Sequence, residues 1–170
     1  AVMARKNDIM KSSMGMDYEK YISSPVAFDY EAMMRDTGYT MDEIFRIQQE
    51  TKVGNTPLYE LRNLTEAVRQ ISPPGKGATI LVKDEAANAS GSFKARRASI
   101  SAYEAAHKGY AGMVAATSGN YGAAVASQAA QRKLKCIIVQ EVYDSRGIGQ
   151  PEIVEKGRAC EAYGAEVLKL

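Results

Sequence analysis

The sequence predicts an α/β fold in which an open parallel sheet carries helices on both faces. From Thr79 onward, apolar strand-like runs at about 79–84, 112–116, 135–140 and 165–170 alternate with helix-like stretches at about 93–108, 120–132 and 151–163. The strands are nearly all apolar, which is typical of a parallel sheet covered on both faces. Gly109 and Gly164 stand where a helix ends in a left-handed residue, and Pro151 stands in a first helical turn.

A mainly helical segment is predicted ahead of this domain. Residues 28–36 favour a short helix that Gly38 ends. Thr40 and Glu43 form a capping-box pair, which predicts a helix from Met41 to Glu50.

A turn and a further short helix follow. Val53-Gly-Asn-Thr-Pro-Leu58 is interpreted as a Gly-Asn turn followed by Thr-Pro, and because Pro57 forces Thr56 into extended backbone, the preceding helix is expected to end before it. Either Asn63 or Thr65 is expected to cap a helix that ends at Ile71.

The best internal boundary is the loop Ser72-Pro-Pro-Gly-Lys-Gly77. We therefore expect a helical segment over residues 1–78 and a parallel α/β domain over residues 79–170. The first 16 residues show no clear period, and we expect them to be frayed. The last predicted strand, Ala165–Leu170, would leave an exposed apolar edge, so we expect the chain to be truncated from a larger protein.

Composition and charge narrow the function classes. Hydrophobic residues make up 45% and charged residues 25% of the 170, so the chain can bury a core. The net charge of +2 gives no reason to expect nucleic acid or an anionic membrane, and no apolar run is long enough to span a bilayer. His107 is the single histidine, so no multi-histidine metal site is predicted. Cys136 is expected in the core, and a cytoplasmic location is expected because the start lacks a signal-peptide pattern.

The turn Ser90-Gly-Ser-Phe-Lys-Ala-Arg-Arg97 carries the first candidate for chemistry. It follows the apolar run Thr79–Asp84 and places Lys94 at the start of a predicted helix. Neighbouring positive charge and partial burial favour a neutral lysine amine, the form that makes a Schiff base with an aldehyde. A solvated lysine in a basic helix start explains this stretch alone equally well.

A second turn of the same kind is Thr117-Ser-Gly-Asn-Tyr-Gly122, which follows the apolar run Gly112–Ala116 and opens another helix. Turns at the same end of neighbouring parallel strands would face one crevice, where open α/β sheets bind ligands. A helix N-terminus with a small Gly turn is also an anion site. An ordinary helix cap by Ser118 is the alternative.

Together these segments resemble the fold-type II pyridoxal-phosphate enzymes, the group that includes threonine synthase and the tryptophan synthase β subunit. Val53–Leu58 is similar to the opening motif of the group, Ser90–Arg97 to its cofactor-lysine motif and Thr117–Tyr121 to its asparagine loop, in the same order and spacing. The likeness runs from about Met10 to Leu170. It implies pyridoxal 5′-phosphate as the cofactor and the small domain of that fold.

The resemblance also implies roles for individual residues. Lys94 would bind the cofactor covalently and later move the Cα proton, and Asn120 would bond the cofactor's 3′ oxygen. Phe93 would pack beside the cofactor ring, with a core aromatic as the alternative. The substrate carboxylate would lie against the rest of the asparagine loop, which is Thr117, Ser118, Gly119 and Tyr121 together with Asn120.

The chain departs from the group at two positions. Ala95 stands where an acidic residue is common, so we expect a weaker helix start after a Ser92 cap and less neutralised arginines. Ala89 stands where proline is common, which loosens the turn. The Gly-rich phosphate cup of the group would lie beyond Leu170, and Asp144–Gly149 is a loop expected near the mouth of the site, where it is a candidate contact for the substrate or a thiol co-substrate.

The most similar members imply a thiolytic cleavage, in which coenzyme A splits 2-amino-4-oxopentanoate into alanine and acetyl-CoA. The implied partners are that amino acid, coenzyme A and a small α subunit, in an oligomer. A threonine synthase-like reaction, or a lyase reaction on threonine or serine, is the alternative on the same fold. A third hypothesis is a non-catalytic folding or assembly domain, in which both turns are plain helix caps.

Overall fold

The computed structural model describes residues 5–170 of the chain. The helices are α1 (Lys6–Met14), α2 (Tyr30–Asp36), α3 (Met41–Glu50), α4 (Arg62–Ile71), α5 (Lys94–His107), α6 (Asn120–Gln131) and α7 (Pro151–Ala162). The strands are β1 (Ile22–Ser24), β2 (Ala27–Phe28), β3 (Leu58–Glu60), β4 (Leu81–Lys83), β5 (Gly112–Ala116), β6 (Lys135–Gln140) and β7 (Glu166–Lys169). Single 3-10 turns lie at Tyr18–Tyr21 and Glu85–Ala87.

The chain divides into two compact units, residues 1–44 and residues 45–170. The loop Ser72–Gly77 lies inside the second unit, and the division expected at residue 78 stays a prediction.

The first unit is a small assembly of α1, the antiparallel β1–β2 pair and α2. Its aromatic side chains cluster, with the Phe28 ring 4.6 Å from that of Tyr18 and 4.7 Å from that of Tyr30. The helix α1 corrects the expectation of a frayed start over the first 16 residues, of which residues 1–4 lie outside the described part. Its polar sequence has no apolar stripe for a periodicity argument to detect, and Gly15 ends it at φ 69°.

The predicted helices on either side of Gly38 are confirmed. Gly38 follows α2 in a left-handed conformation at φ 85°. The capping box of α3 is present in both directions: the Thr40 amide donates to the Glu43 carboxylate at 2.8 Å, and the Glu43 amide donates to the Thr40 hydroxyl at 3.2 Å.

The two short strands of the second unit correct one part of the predicted sheet. β4 pairs antiparallel with β3, through Tyr59↔Val82, and takes no part in the parallel sheet. Periodicity shows that Thr79–Asp84 is a strand but not which strand it will pair with. The helix between them, α4, starts after Leu61 and has no side-chain cap among residues 5–170, so the caps predicted at Asn63 or Thr65 are wrong. The Thr65 hydroxyl is buried and accepts the Ile80 amide at 2.9 Å instead.

The parallel sheet has the order β5-β6-β7, and the predicted α/β class is confirmed. Its register runs from Gly112↔Lys135 to Gln140↔Lys169. The core lies between β6 and the helices α6 and α7, and it includes Ala124, Ile138 and Cys160, each of them fully buried. These three parallel strands bring their carboxyl ends to one edge, where the loops after β5 and β6 begin.

The described residues hold neither a helix long and apolar enough to cross a bilayer nor a cluster of three or more potential metal-ligating side chains. Cys136 lies in the core, as expected, and burial raises the pKa of its thiol to about 11. His107 is the last residue of α5, the helix end predicted for it, and its ring stacks on Tyr103 with centroids 5.7 Å apart.

Candidate active site

Lys94 is the first residue of α5 and is half-buried. The turn before it contains Gly91 at φ 73°, a left-handed conformation that glycine adopts without strain. The Lys94 ammonium lies over the Phe93 ring, 4.7 Å from its centroid. That ring is 57% exposed, so the interpretation of Phe93 as a core aromatic is wrong. Amine and ring therefore form one accessible surface at the start of the helix.

Two serine hydroxyls in the same turn are buried without being used. Ser90 Oγ and Ser92 Oγ have no hydrogen-bond partner among residues 5–170. The predicted Ser92 cap is wrong, because the residue that precedes the helix is Phe93 and no side chain in the described part of the chain caps α5. A buried hydroxyl without a partner costs about 1–3 kcal/mol, so such groups are typical of a site that a ligand completes.

The asparagine loop follows β5 directly. The Thr117 amide donates to Val139 O at 2.9 Å and extends the β5–β6 ladder by one residue, and the Gly119 amide donates to Thr117 Oγ1 at 3.2 Å. Helix α6 then begins at Asn120 with no side-chain cap among the described residues, so the alternative of a Ser118 cap is wrong. Ser118 and Asn120 are exposed. A helix start without a side-chain cap is typical of an anion site, because the first backbone N–H groups have no partner within the helix and the helix dipole favours negative charge.

Tight packing behind the loop fixes its position. A Cβ added to Gly122 would lie 2.9 Å from Thr117 Cγ2 and 3.2 Å from Ile138 Cγ2, so only glycine lets α6 approach β6 this closely. In front of the loop the situation is opposite, since a Cβ on Gly119 would meet no described atom within 4 Å.

The lysine turn and the asparagine loop meet, although not for the predicted reason. Since β4 lies outside the parallel sheet, the two turns do not follow neighbouring parallel strands. Instead α5 packs against α6, and the Arg97 guanidinium lies over the Tyr121 ring, 5.0 Å from its centroid. This contact joins the two motifs directly.

Sequence reasoning missed a polar network behind the lysine turn. The Glu85 carboxylate accepts from Arg96 Nε at 2.7 Å, from Arg96 Nη2 at 2.8 Å and from the Thr56 hydroxyl at 2.7 Å. Asn88 is buried; its Nδ2 donates to Glu85 Oε2 at 3.1 Å and its Oδ1 accepts the Gly54 amide at 2.9 Å. The network therefore joins the opening motif to α5.

The charges of this network compensate each other. Hydrogen bonds from Arg96, and then from Thr56, lower the pKa of Glu85 from 4.5 to about 2. The expectation that Ala95 leaves Arg96 less neutralised is wrong, because Glu85 supplies the missing carboxylate from elsewhere in the chain. Ala95 itself is fully buried, where an acidic side chain would need its own partner. The opposite charges of Glu85 and Arg96, on either side of the turn, were the one available signal.

The loop Asp144–Gly149 follows β6 and so begins at the same sheet edge as the asparagine loop. Asp144 organises it by accepting the amides of Arg146 and Ile148 at 2.9 and 3.0 Å. The Arg146 guanidinium donates to the same carboxylate at 2.7 Å and lowers the pKa of Asp144. The loop is thus a self-contained turn whose arginine is already paired, and its contact with a substrate stays a prediction.

The features of the lysine turn fit pyridoxal phosphate. A reachable amine on an aromatic surface, two unused buried hydroxyls and an uncapped helix end offer the covalent, stacking and anion contacts that the cofactor needs.

Comparison with known proteins supports the same cofactor. Residues 49–170 match the family described as "Pyridoxal-phosphate dependent enzyme". The chain is 62% identical over 169 residues to a 2-amino-4-ketopentanoate thiolase beta subunit of Acetoanaerobium sticklandii, covering 99% of this chain and 36% of that protein. It is 33% identical over 135 residues to a threonine synthase of Halalkalibacterium halodurans, covering 75% of this chain and 33% of that one.

A solved structure is similar over the same region. A pyridoxal 5′-phosphate-dependent aspartate racemase has a TM-score of 0.59 and 27% identity, with 76% of this chain and 37% of that one covered. The chain thus spans about a third of the length of the relatives that it matches.

Proposed function

Because the chain belongs to the family of pyridoxal-phosphate dependent enzymes, we propose that it is the lysine-bearing part of a thiolase β subunit. The reaction proposed is the cleavage of 2-amino-4-oxopentanoate by coenzyme A into alanine and acetyl-CoA. The observation that carries this substrate is the 62% identity, along 99% of the chain, to a relative named for it.

The chain's own residues have distinct parts in this proposal. Lys94 attaches the cofactor through its ε-amine and then takes and returns the proton at the substrate Cα. Phe93 packs beside the cofactor ring, and the Asn120 side chain donates to the 3′ oxygen. The cofactor, when bound, supplies a conjugated ring that withdraws electrons from the substrate's α carbon.

The amino-acid substrate lies at the uncapped start of α6. Its carboxylate accepts backbone N–H groups and hydroxyls of Thr117, Ser118, Gly119 and Tyr121. Open space in front of Gly119 supports this placement.

The proposed reaction needs no reactant other than the amino acid and coenzyme A. The thiol sulfur of coenzyme A bonds to the 4-oxo carbon, and the bond between that carbon and the β carbon breaks. The acetyl group leaves on sulfur, and the β carbon keeps the electron pair and takes a proton to give alanine.

The proposal includes a partner subunit. The relatives are named as β subunits, which supports a small α subunit and an oligomeric enzyme.

The test uses the full-length protein with its partner subunit and follows acetyl-CoA formation from 2-amino-4-oxopentanoate. Lys94→Ala should abolish turnover, whereas Lys108→Ala, at the end of the same helix, should retain it. Borohydride reduction of the cofactor-loaded protein should label the peptide that carries Lys94. Turnover in Lys94→Ala, or label spread over many lysines, contradicts the assignment, and absence of any label would favour a non-catalytic domain.

A threonine synthase-like or lyase reaction is the second candidate. It is favoured by the 33% identity to a threonine synthase over 75% of the chain. Release of 2-oxobutanoate from threonine without coenzyme A would select it over the thiolase.

A further inference from the structure

Two consecutive arginines of α5 differ in how their charges are used. Arg96 is held in a two-bond pair with Glu85 and is compensated. Arg97 is exposed, and within residues 5–170 it forms no ion pair; its contact is the face of the Tyr121 ring. The first arginine is part of the framework, and the second keeps a full positive charge at the surface.

The position of Arg97 connects this charge to the candidate active site. Lys94 and Arg97 are three residues apart in one helix, so their side chains leave the same side of α5. Arg97 ends the lysine motif and Tyr121 belongs to the asparagine loop, so the Arg97 guanidinium lies where the two motifs meet. The contact with the ring face positions the guanidinium, and its N–H donors form no ion pair within residues 5–170, so they can bind an anion.

Two carboxylates of these segments are already paired with other arginines. Glu85 binds Arg96, and Asp144, in the loop after β6, binds Arg146. An anion that approaches Arg97 therefore does not displace a carboxylate that the structure shows.

The two substrates of the proposed reaction carry different numbers of anionic groups. The amino acid has one carboxylate, which the uncapped start of α6 takes. Coenzyme A carries several phosphate oxygens, which suit the planar donor edge of a guanidinium. We propose that Arg97, which lies over the Tyr121 ring, binds a phosphate group of coenzyme A and so directs its thiol to the site beside Lys94. This inference rests on the proposed thiolase function and deepens it.

The experiment measures the Kd of coenzyme A by calorimetry on the full-length, cofactor-loaded enzyme with its partner subunit. Arg97→Gln should raise this Kd about tenfold or more, and Arg97→Lys, which keeps the charge, should recover part of the loss. Arg35→Gln is the matched control, since it removes an exposed arginine of α2 that lies outside both motifs and outside the loop after β6, and its Kd should stay within about twofold of the wild-type value. Pantetheine has the same thiol arm without the nucleotide phosphates, and its Kd should not distinguish Arg97→Gln from wild type.

Three outcomes overturn the inference: an unchanged Kd for coenzyme A in Arg97→Gln, an equal loss of affinity for pantetheine, or an equal or larger loss of coenzyme A affinity in Arg35→Gln. Acetyl-CoA formation by the wild-type enzyme separates the two levels of the proposal. If the wild type turns over and Arg97→Gln binds coenzyme A normally, only the role of Arg97 is refuted. If the wild type neither binds coenzyme A nor turns over, the thiolase function fails, and this inference fails with it.

Discussion

The two sides of the lysine turn treat their polar groups in opposite ways. Behind the turn, the Glu85 carboxylate is bonded to Arg96, Thr56 and Asn88, and each of these partners is itself oriented by it. In front of it, the hydroxyls of Ser90 and Ser92 are buried without a partner in the described part of the chain, and α6 starts uncapped.

This difference separates the framework, which is the network of Glu85, Arg96, Thr56 and Asn88, from the candidate site. A hydrogen-bonding group that is satisfied by the protein stabilises one backbone geometry and has nothing left for a ligand. A buried group without a partner destabilises the free protein, and it gains most when a ligand supplies the missing bond. The candidate site is therefore recognised by hydrogen-bonding groups that have no partner. The network behind it fixes the backbone that positions these groups.

Glu85→Ala gives the strongest test of the framework side. It removes four hydrogen bonds and leaves the Arg96 guanidinium half-buried without a carboxylate, so we expect the free energy of unfolding to fall by about 3 kcal/mol. Denaturant unfolding of the full-length protein measures it. Glu161→Ala is the control, because its pair with Lys169 is 3.5 Å long and about half exposed, and should cost at most about 0.5 kcal/mol. Equal losses in the two variants would mean that the network does not stabilise the turn.

Gly122→Ala tests the packing behind the asparagine loop. The new Cβ would lie 2.9 Å from Thr117 Cγ2, so either α6 or Thr117 must move. We expect a loss of about 2 kcal/mol in unfolding free energy and a raised KM for the amino acid, because the displaced loop is the one that we propose to hold its carboxylate. Gly119→Ala places its Cβ in open space and should leave the unfolding free energy within about 0.5 kcal/mol. A Gly122→Ala protein of wild-type stability would show that the close approach is absent in solution.

A pair of hydroxyl deletions compares the two sides directly. Thr56→Val removes a hydroxyl bonded to Glu85 at 2.7 Å and should cost about 1 kcal/mol in the cofactor-free protein. Ser92→Ala removes a buried hydroxyl that has no described partner, so the cofactor-free protein should be equally or more stable, while its Kd for pyridoxal phosphate should rise. Thermal unfolding and cofactor titration measure both effects. Destabilisation of the same size in both variants would remove the distinction between the two sides.

Sequence reasoning recovered what local pattern determines and missed what depends on distant partners. The Thr40–Glu43 capping box, Gly109, Gly164 and Pro151 are local signals, and all mark helix ends as expected. The partner of β4, by contrast, is Leu58–Glu60, a strand that begins at the last residue of the turn predicted over Val53–Leu58 and that no local pattern indicated.

The same limit applies to the site. The order of Lys94 and Asn120 along the chain could be recognised, because each follows a short Gly turn at a helix start. The hydroxyls were misassigned, since Ser92 and Thr65 resemble helix caps in sequence. In the described residues the Ser92 hydroxyl has no partner, and the Thr65 hydroxyl accepts the Ile80 amide. Glu85 and Arg96 lie 11 residues apart with the turn between them, and only the fold shows that they pair.

The smallest expected effect is a dependence of the unfolding free energy on pH, which arises from the pair of Glu85 and Arg96. The pKa of Glu85 is lowered from 4.5 to about 2 by Arg96 and Thr56, so its stabilising contribution is complete above pH 4.5 and is lost as the pH falls towards 2. Because the pair is partly exposed, water screens it, and the loss between pH 6 and pH 3 should be about 0.5–1 kcal/mol. Glu85→Gln has no carboxylate to protonate. The difference in unfolding free energy between wild type and Glu85→Gln should therefore become smaller as the pH falls from 6 to 3, measured by denaturant unfolding at fixed ionic strength. If this difference in unfolding free energy stays constant with pH, the contact with Arg96 is stabilised by the shape of the Glu85 side chain rather than by its charge. The network would then be held together by packing.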